Sequence, residues 1–320
     1  MKQPLIILTG PTAVGKTELS IALAKAVNGE IISADSMQVY KYMDIGTAKI
    51  RPEEMQGIPH YLVDELSPEE DFNVVRFSQL AKYYIDQIYA KGKIPILVGG
   101  TGFYIQAVLY DIDFTENEED KSFRRELESF SREQGELALH ERLKQVDPVS
   151  AEKIHPNNVK RVIRALEYYN QTGEPISAHN EKERQKISPY NAAYFVLTND
   201  RALLYDRINK RVDKMLENGL VKEVKGLLQR GYKKEMVSMQ GLGYKEIIAY
   251  LEGRSTLEEA IYILKRDTRH FAKRQITWFK REKEVIWLDK SKYMSEEELL
   301  DAILGQLKIQ GILPWEEKRG

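Results

Sequence analysis

The chain has 320 residues, 42% hydrophobic and 30% charged, enough for a substantial core and two domains, so wholesale disorder is excluded. It has no cysteine, which rules out disulfides, thiolate zinc sites and cysteine nucleophiles together. With 48 Lys and Arg against 49 Asp and Glu the formal net charge is -1, so only the distribution of charge can speak for or against nucleic acid.

The apolar run near Met1 is too short for a signal sequence, and no segment approaches the length needed to cross a bilayer. The expectation is a soluble, cytoplasmic, monomeric protein. "PLIILTG" reads as a short strand that runs into a glycine loop, "GPTAVGKT", Gly10 to Thr17. "KTELSIALAKAVNG" has helical periodicity and closes at Asn28-Gly29. A second buried strand is expected over Glu30 to Ser33, a helix over Asn73 to Lys91, and a third strand over Ile94 to Val98 that again ends in glycines. Strands alternating with helices predict a mostly parallel sheet covered on both faces, with ligands beyond the carboxyl ends of the strands. The turns at Gly10, Asp35 and Thr101 all fall at that edge. Residues 115–187 are rich in charge, carry helical spacing and lack a convincing strand, so they read as a helical insert. "AAYFVLTND" returns to strand character, followed by helices over Leu203 to Glu217 and Leu257 to Lys283. A last strand is expected at Val285 to Leu288, a last helix over "SEEELLDAILGQL", and a loose tail at 315–320. The fold class that results is α/β: a P-loop NTPase-like core (1–114 and 188–320) interrupted by the insert.

In the first loop, Gly10, Pro11, Thr12, Ala13, Val14 and Gly15 lead into Lys16 and Thr17. The glycines let backbone N–H groups turn inward, and the helix amino terminus adds orphan donors and its dipole. Lys16 supplies a point charge between phosphates, and the Thr17 hydroxyl suits a bound Mg2+. The spacing does not say what carries the phosphates. An ATPase or GTPase would place an aspartate after a later hydrophobic strand, but the strand at Ile94 to Val98 ends in "GGTG".

In "SADSMQVYKYMDIGTAKI", Asp35, Ser36, Met37 and Gln38 follow the second strand directly. Asp35 could hold magnesium through water, take a proton from an acceptor, or simply cap a turn. Gln38 pairs a donor with an acceptor, matched to an adenine edge. Asp44 is equally readable as an ordinary turn residue. In "GGTGFY" the glycines permit close backbone approach and Thr101 offers a hydroxyl, or else a helix cap. "LKRDTRHFAKRQITWFKREK", with Arg269, Lys273 and Arg274, and "NNVKRVIRALE", with Lys160, Arg161 and Arg164, concentrate positive charge in a near-neutral chain. Each is either a polyanion contact or a solvated helix face. Of Arg201, Arg207 and Arg211, one or two could reach back to the phosphates.

Together "GPTAVGKTELS", "ISADSMQVYKYMDIGTAKI", "GIPHYLVDE", "ILVGGTGFY", "NNVKRVIRALE", "GLGYKE" and "TRHFAKRQITWFKR" resemble the tRNA dimethylallyltransferase family, in the family's order and over most of the chain. Val14 stands where many members have serine and Ile50 where many have proline. The lack of cysteine, and the end of the chain soon after the last helix, resemble the bacterial form. The resemblance implies that the phosphates belong to dimethylallyl diphosphate rather than ATP, and that the acceptor is N6 of adenosine 37 in tRNAs reading codons that start with U. It implies Asp35 as general base, Thr101 and the segment Asp35 to Gln38 at the substrate tRNA, and Lys16, Arg207 and magnesium near Thr17 at the departing diphosphate. It further implies that the insert, through Arg124, Lys160, Arg161 and Arg164, grips the anticodon stem-loop. Two rivals keep the same loop. One is a small-molecule kinase, which leaves "GGTGFY" and the basic segments unexplained. The other is an isopentenyl transferase acting on free adenine nucleotides, which leaves the insert and basic helix without a task.

Overall fold

A computed structural model of the chain describes residues 2–114 and 122–314; the expected loose tail, 315–320, and the expected start of the insert at residue 115 lie outside them. β1 (Pro4–Thr9) is buried from Leu5 to Thr9 and β2 (Gly29–Ala34) along its whole length, as strands covered on both faces must be. With β3 (His60–Tyr61), β4 (Ile94–Gly99), β5 (Asn191–Thr198) and β6 (Val285–Asp289) they form one six-stranded sheet in the order β3-β2-β4-β1-β5-β6. Every pairing is parallel, as the sequence predicts for the fold class. Thr9 and Ala34 both register with Gly99, so the carboxyl ends of β1, β2 and β4 are level and the turns that follow them open at one edge.

α1 (Lys16–Val27) stops where Asn28 takes a left-handed conformation, φ 51°, which turns the chain straight into β2. α2 (Val74–Ala90) starts where the Asn73 side chain accepts from the Arg76 N–H. α3 (Gly102–Leu109) follows β4 after two residues. The chain then enters a separate compact unit, Tyr110–Ile187. Its described elements are α4 (Ser122–Gln134), α5 (Glu136–Val146), α6 (Pro148–Lys153), α7 (Val159–Thr172) and α8 (Ile176–Arg184). They share a core of their own, built from Leu127, Leu139, Leu143, Val162, Ile163 and Leu166. Fully buried Asp147 fastens this unit: its carboxylate accepts from the Ser150 N–H at 2.9 Å, the Ser177 N–H at 3.0 Å and the Ser177 hydroxyl at 2.7 Å.

The first unit resumes with β5, α9 (Arg201–Glu217), α10 (Leu220–Gln229), α11 (Tyr244–Leu251), α12 (Leu257–Phe279) and, after β6, α13 (Glu296–Ile309). Sheet residues Ile6, Leu8, Ile31, Ile96 and Phe195 pack with Leu19 and Leu23 of α1 and Ile303 and Leu307 of α13. α12 opens with a reciprocal cap: Thr256 Oγ1 accepts from the Glu259 N–H at 3.2 Å, and Glu259 accepts from the Thr256 N–H at 2.9 Å. It ends at Phe279, so Lys280, Arg281 and Lys283, expected on the helix, lie beyond it. Periodicity could not set that end, because the charged residues continue past it without a break. No helix of the described residues is long and apolar enough to cross a membrane.

Candidate active site

The loop after β1 bends back over the sheet edge. Val14 is fully buried in the main core and anchors the loop from below, so its side chain has no access to a ligand. The N–H groups are divided. Val14 N–H donates to the Pro11 carbonyl at 3.4 Å and Thr12 N–H donates to Gln275 Oε1 at 2.9 Å, while those of Ala13 and Gly15 make no hydrogen bond among the described residues. Pro11 has no N–H, so between Pro11 and Gly15 the free backbone donors are those of Ala13 and Gly15. Lys16 Nζ lies folded across the loop, donating to the carbonyls of Gly10 and Pro11 at 2.9 Å each. Thr17 is exposed and its hydroxyl makes no hydrogen bond among the described residues.

Asp35 lies immediately past β2. Its Oδ1 accepts from the Met37 N–H at 2.8 Å and the Gln38 N–H at 3.3 Å, so the turn-capping reading describes one oxygen. Oδ2 makes no hydrogen bond among the described residues and is available for chemistry. The Thr101 N–H donates to the Ala34 carbonyl at 3.2 Å, which sets Thr101 next to Asp35 across the β2–β4 edge. Thr101 O also starts α3, accepting from Tyr104 and Ile105. Ser36 is partly exposed beside them. Met37 packs on Gly241, where a methyl group would meet its Cε at 2.5 Å. Gln38 is less free than an adenine-reading amide should be, since Nε2 leans on the Thr47 and Ala48 carbonyls at 3.4 Å.

The whole stretch is held from behind. Glu223 of α10 accepts from the N–H groups of Asp44, Ile45 and Gly46 at 3.0, 2.7 and 3.1 Å, and from the Tyr244 hydroxyl at 2.7 Å. Lys49, with its side chain buried, reaches Asp44 at 2.6 Å, Asp64 at 2.8 Å and the Tyr40 carbonyl at 2.7 Å. Asp44 is therefore a structural partner of Lys49.

The charges converge. Burial brings the Lys16 ammonium down to about 8; the nearby Arg211 guanidinium adds to the fall and Asp35 opposes it. Burial likewise lowers Arg211, again opposed by Asp35. Tyr104 is pushed up by burial, then by Tyr40 and Asp35. Thus Arg211, passed over in favour of Arg207, shares the field of Lys16 and Asp35. Arg207 is nearer the rim: a methyl group at Gly15 would lie 3.8 Å from its guanidinium and 3.0 Å from Lys290 Nζ. Lys290, paired with Glu296, carries no motif and was not anticipated.

The second glycine run is explained differently from its sequence reading. A methyl group at Gly100 would lie 2.2 Å from Gln275 Nε2, and one at Gly102 would lie 2.1 Å from the Trp278 ring. These glycines make room for α12. The other face of α12 leaves Lys273 and Arg274 exposed, while Arg269 is engaged with Asn209 Oδ1 at 2.7 Å. In the insert, Lys160 and Arg161 are exposed on α7. Arg124 differs: its guanidinium makes a two-point bridge to Glu167 at 2.8 and 2.6 Å, so its charge is already answered. Burial lowers the half-buried Arg164, with Glu167 opposing.

An all-parallel sheet with a glycine loop and lysine beside a carboxylate-bearing turn defines an α/β protein of the phosphate-loop kind. The family model for IPP transferase matches residues 38–282. The chain is 67% identical to a tRNA dimethylallyltransferase of Lachnoclostridium phytofermentans, covering 97% of this chain and 99% of that one. A tRNA dimethylallyltransferase of Acetivibrio thermocellus is 54% identical over 96% and 98%. Among solved structures, the full-length tRNA isopentenylpyrophosphate transferase of Bacillus halodurans superposes with a TM-score of 0.72 at 47% identity, covering 97% of this chain and 99% of that one. A eukaryotic dimethylallyltransferase acting on tRNA reaches 0.84 at 30% identity, over 99% of this chain and 82% of that one. The chain belongs to the IPP transferase family.

Proposed function

We propose that this chain transfers the dimethylallyl group of dimethylallyl diphosphate to N6 of adenosine 37 in tRNAs reading codons that start with U, releasing diphosphate. The observation that carries the chemistry is the shared field of Lys16, Arg211 and Asp35 at the edge that also presents Thr101. The relatives' names support tRNA as acceptor. The adenine exocyclic amine is a weak nucleophile, since its lone pair is delocalised into the ring. As its nitrogen bonds to the allylic carbon, Asp35 Oδ2 takes the N–H proton and the carbon–oxygen bond breaks, its electron pair leaving with the diphosphate. The free N–H groups of Ala13 and Gly15, with Lys16, Arg211 and Arg207, receive the departing charge. Thr101 and the turn from Asp35 to Gln38 contact the target base. Lys160 and Arg161 of the insert, and Lys273 and Arg274 of α12, contact RNA phosphates. The protein works as a monomer in the cytoplasm.

The site fits a magnesium ion through oxygen donors only. Among the described residues no group of three or more His, Cys, Asp or Glu could hold a metal, so the exposed Thr17 hydroxyl would share it with the donor's phosphate oxygens and water. Bound there, it supplies charge neutralisation to the leaving group. The test is incubation with labelled dimethylallyl diphosphate, magnesium and unmodified tRNA, followed by mass analysis of the digested RNA. A five-carbon addition at adenosine 37 is expected. Phosphate transfer from ATP with no prenylated RNA would establish the kinase reading instead.

A further inference from the structure

Gln275 is a polar side chain with 6% of its surface exposed, on the inward face of α12. A buried amide needs partners for both its ends. Here they come from two different strand ends: Oε1 accepts from the Thr12 N–H of the phosphate loop at 2.9 Å, and Nε2 donates to the Gly100 carbonyl beside Thr101 at 2.9 Å. The fit leaves no slack, because even a methyl group at Gly100 would sit 2.2 Å from Nε2. Leu or Met could fill the same volume without leaving the amide's needs to be met. We infer that Gln275 is a positioning residue, whose amide holds the phosphate loop and the Thr101 turn at a fixed separation and so prepares the loop to receive a diphosphate.

The inference follows from what each hydrogen bond fixes. With Thr12 N–H tied back, the loop is bent so that the Ala13 and Gly15 N–H groups stay free for an anion. With the Gly100 carbonyl tied to the same amide, the Thr101 turn cannot shift without moving the loop. The residues just before it on the helix, Lys273 and Arg274, are exposed cations, so α12 faces both the loops and the solvent side from adjacent positions. The part of this inference that concerns prenyl transfer rests on the function proposed above; the part that concerns diphosphate binding does not.

The experiment measures inorganic diphosphate binding, with magnesium, by calorimetry on wild type, Gln275→Leu, Gly100→Ala and the double variant. Each is held well below its own melting temperature and checked for folding by circular dichroism. Gln275→Leu should weaken diphosphate binding by roughly 10–100-fold, the usual consequence of loosening the support of a binding group. Gly100→Ala, on the other loop, should weaken it too, because it displaces the amide. In the Gln275→Leu background it should add less than its separate effect. Should Gln275→Leu fail to fold, Gly100→Ala alone gives the same test. Folded variants that bind diphosphate within about twofold of wild type would reduce Gln275 to a packing residue, as would two effects that simply add. A wild type that binds no diphosphate would also overturn the inference. A wild type that binds diphosphate but prenylates no tRNA would overturn the proposed function and leave this result standing.

Discussion

Lys16 is a cation placed where cations are disfavoured. Burial and Arg211 bring its ammonium down to about 8 in the free protein, and Asp35 limits the fall. A bound diphosphate favours the charged form and raises that value, so binding takes up a proton above pH 8. Donor affinity should accordingly be level from pH 7 to 8 and then fall, by up to about tenfold per pH unit, measured by calorimetry. Asp35→Asn removes the opposing charge and should move that break to lower pH, whereas Arg211→Met should move it higher. Asp35→Asn should also slow single-turnover transfer by roughly 10²–10⁴-fold with both substrates saturating, the usual worth of a positioned base. A near-normal Asn rate at every magnesium concentration would return Asp35 to the role of a turn cap.

At the scale of elements, the exposed cations of α7 and α12 divide from the engaged ones. Neutralising Lys160 and Arg161 together, or Lys273 and Arg274 together, should flatten the log–log salt dependence of tRNA affinity by about 0.9 per lost phosphate contact. Filter binding across a salt series measures this. Arg124→Ala should act otherwise. With its bridge to Glu167 gone it should lower the melting temperature of the insert while leaving the salt slope unchanged. Five of the six strands, the main helices and the sheet edge that bears Gly10, Asp35 and Thr101 were legible in the sequence, because burial on both faces and glycine punctuation leave a local record; β3, two residues long, leaves none. Gln275, Glu223 and Lys290 were not. Each acts on a loop far away in the chain, and a single glutamine inside a basic helix has no periodic or motif signal. Met37 on Gly241, and Trp278 over Gly102, are invisible for the same reason: the meaning of the glycine is supplied by a side chain elsewhere. The sequence alone does not separate Arg207 from Arg211, because both lie on α9 four residues apart and only packing tells which lies nearer Lys16.

For the whole molecule, acid stability should hinge on Glu30, buried at the head of β2. Burial would raise its carboxyl, but Lys93, Tyr61 and Lys91 outweigh that and bring it to about 2, with the ion pairs at 2.7 Å to Lys93 and 2.9 Å to Lys91. A carboxylate lowered on folding stabilises above its unfolded value of about 4.5, and the contribution is lost as pH falls from there toward 2. Thermal unfolding should therefore show a melting temperature that drops through that window. Glu30→Gln should melt lower at pH 7 and respond less to acid over the same range. The placement of the insert has a consequence for biosynthesis. β1 lies between β4 and β5, and β5 is made only after residues 110–187. At typical synthesis rates the open flank of β1 waits for about 4–16 seconds while those residues emerge. During that interval the nascent half-sheet presents an unpaired apolar edge, so translation speed through the insert, and chaperone access to it, should govern how much of the chain escapes aggregation.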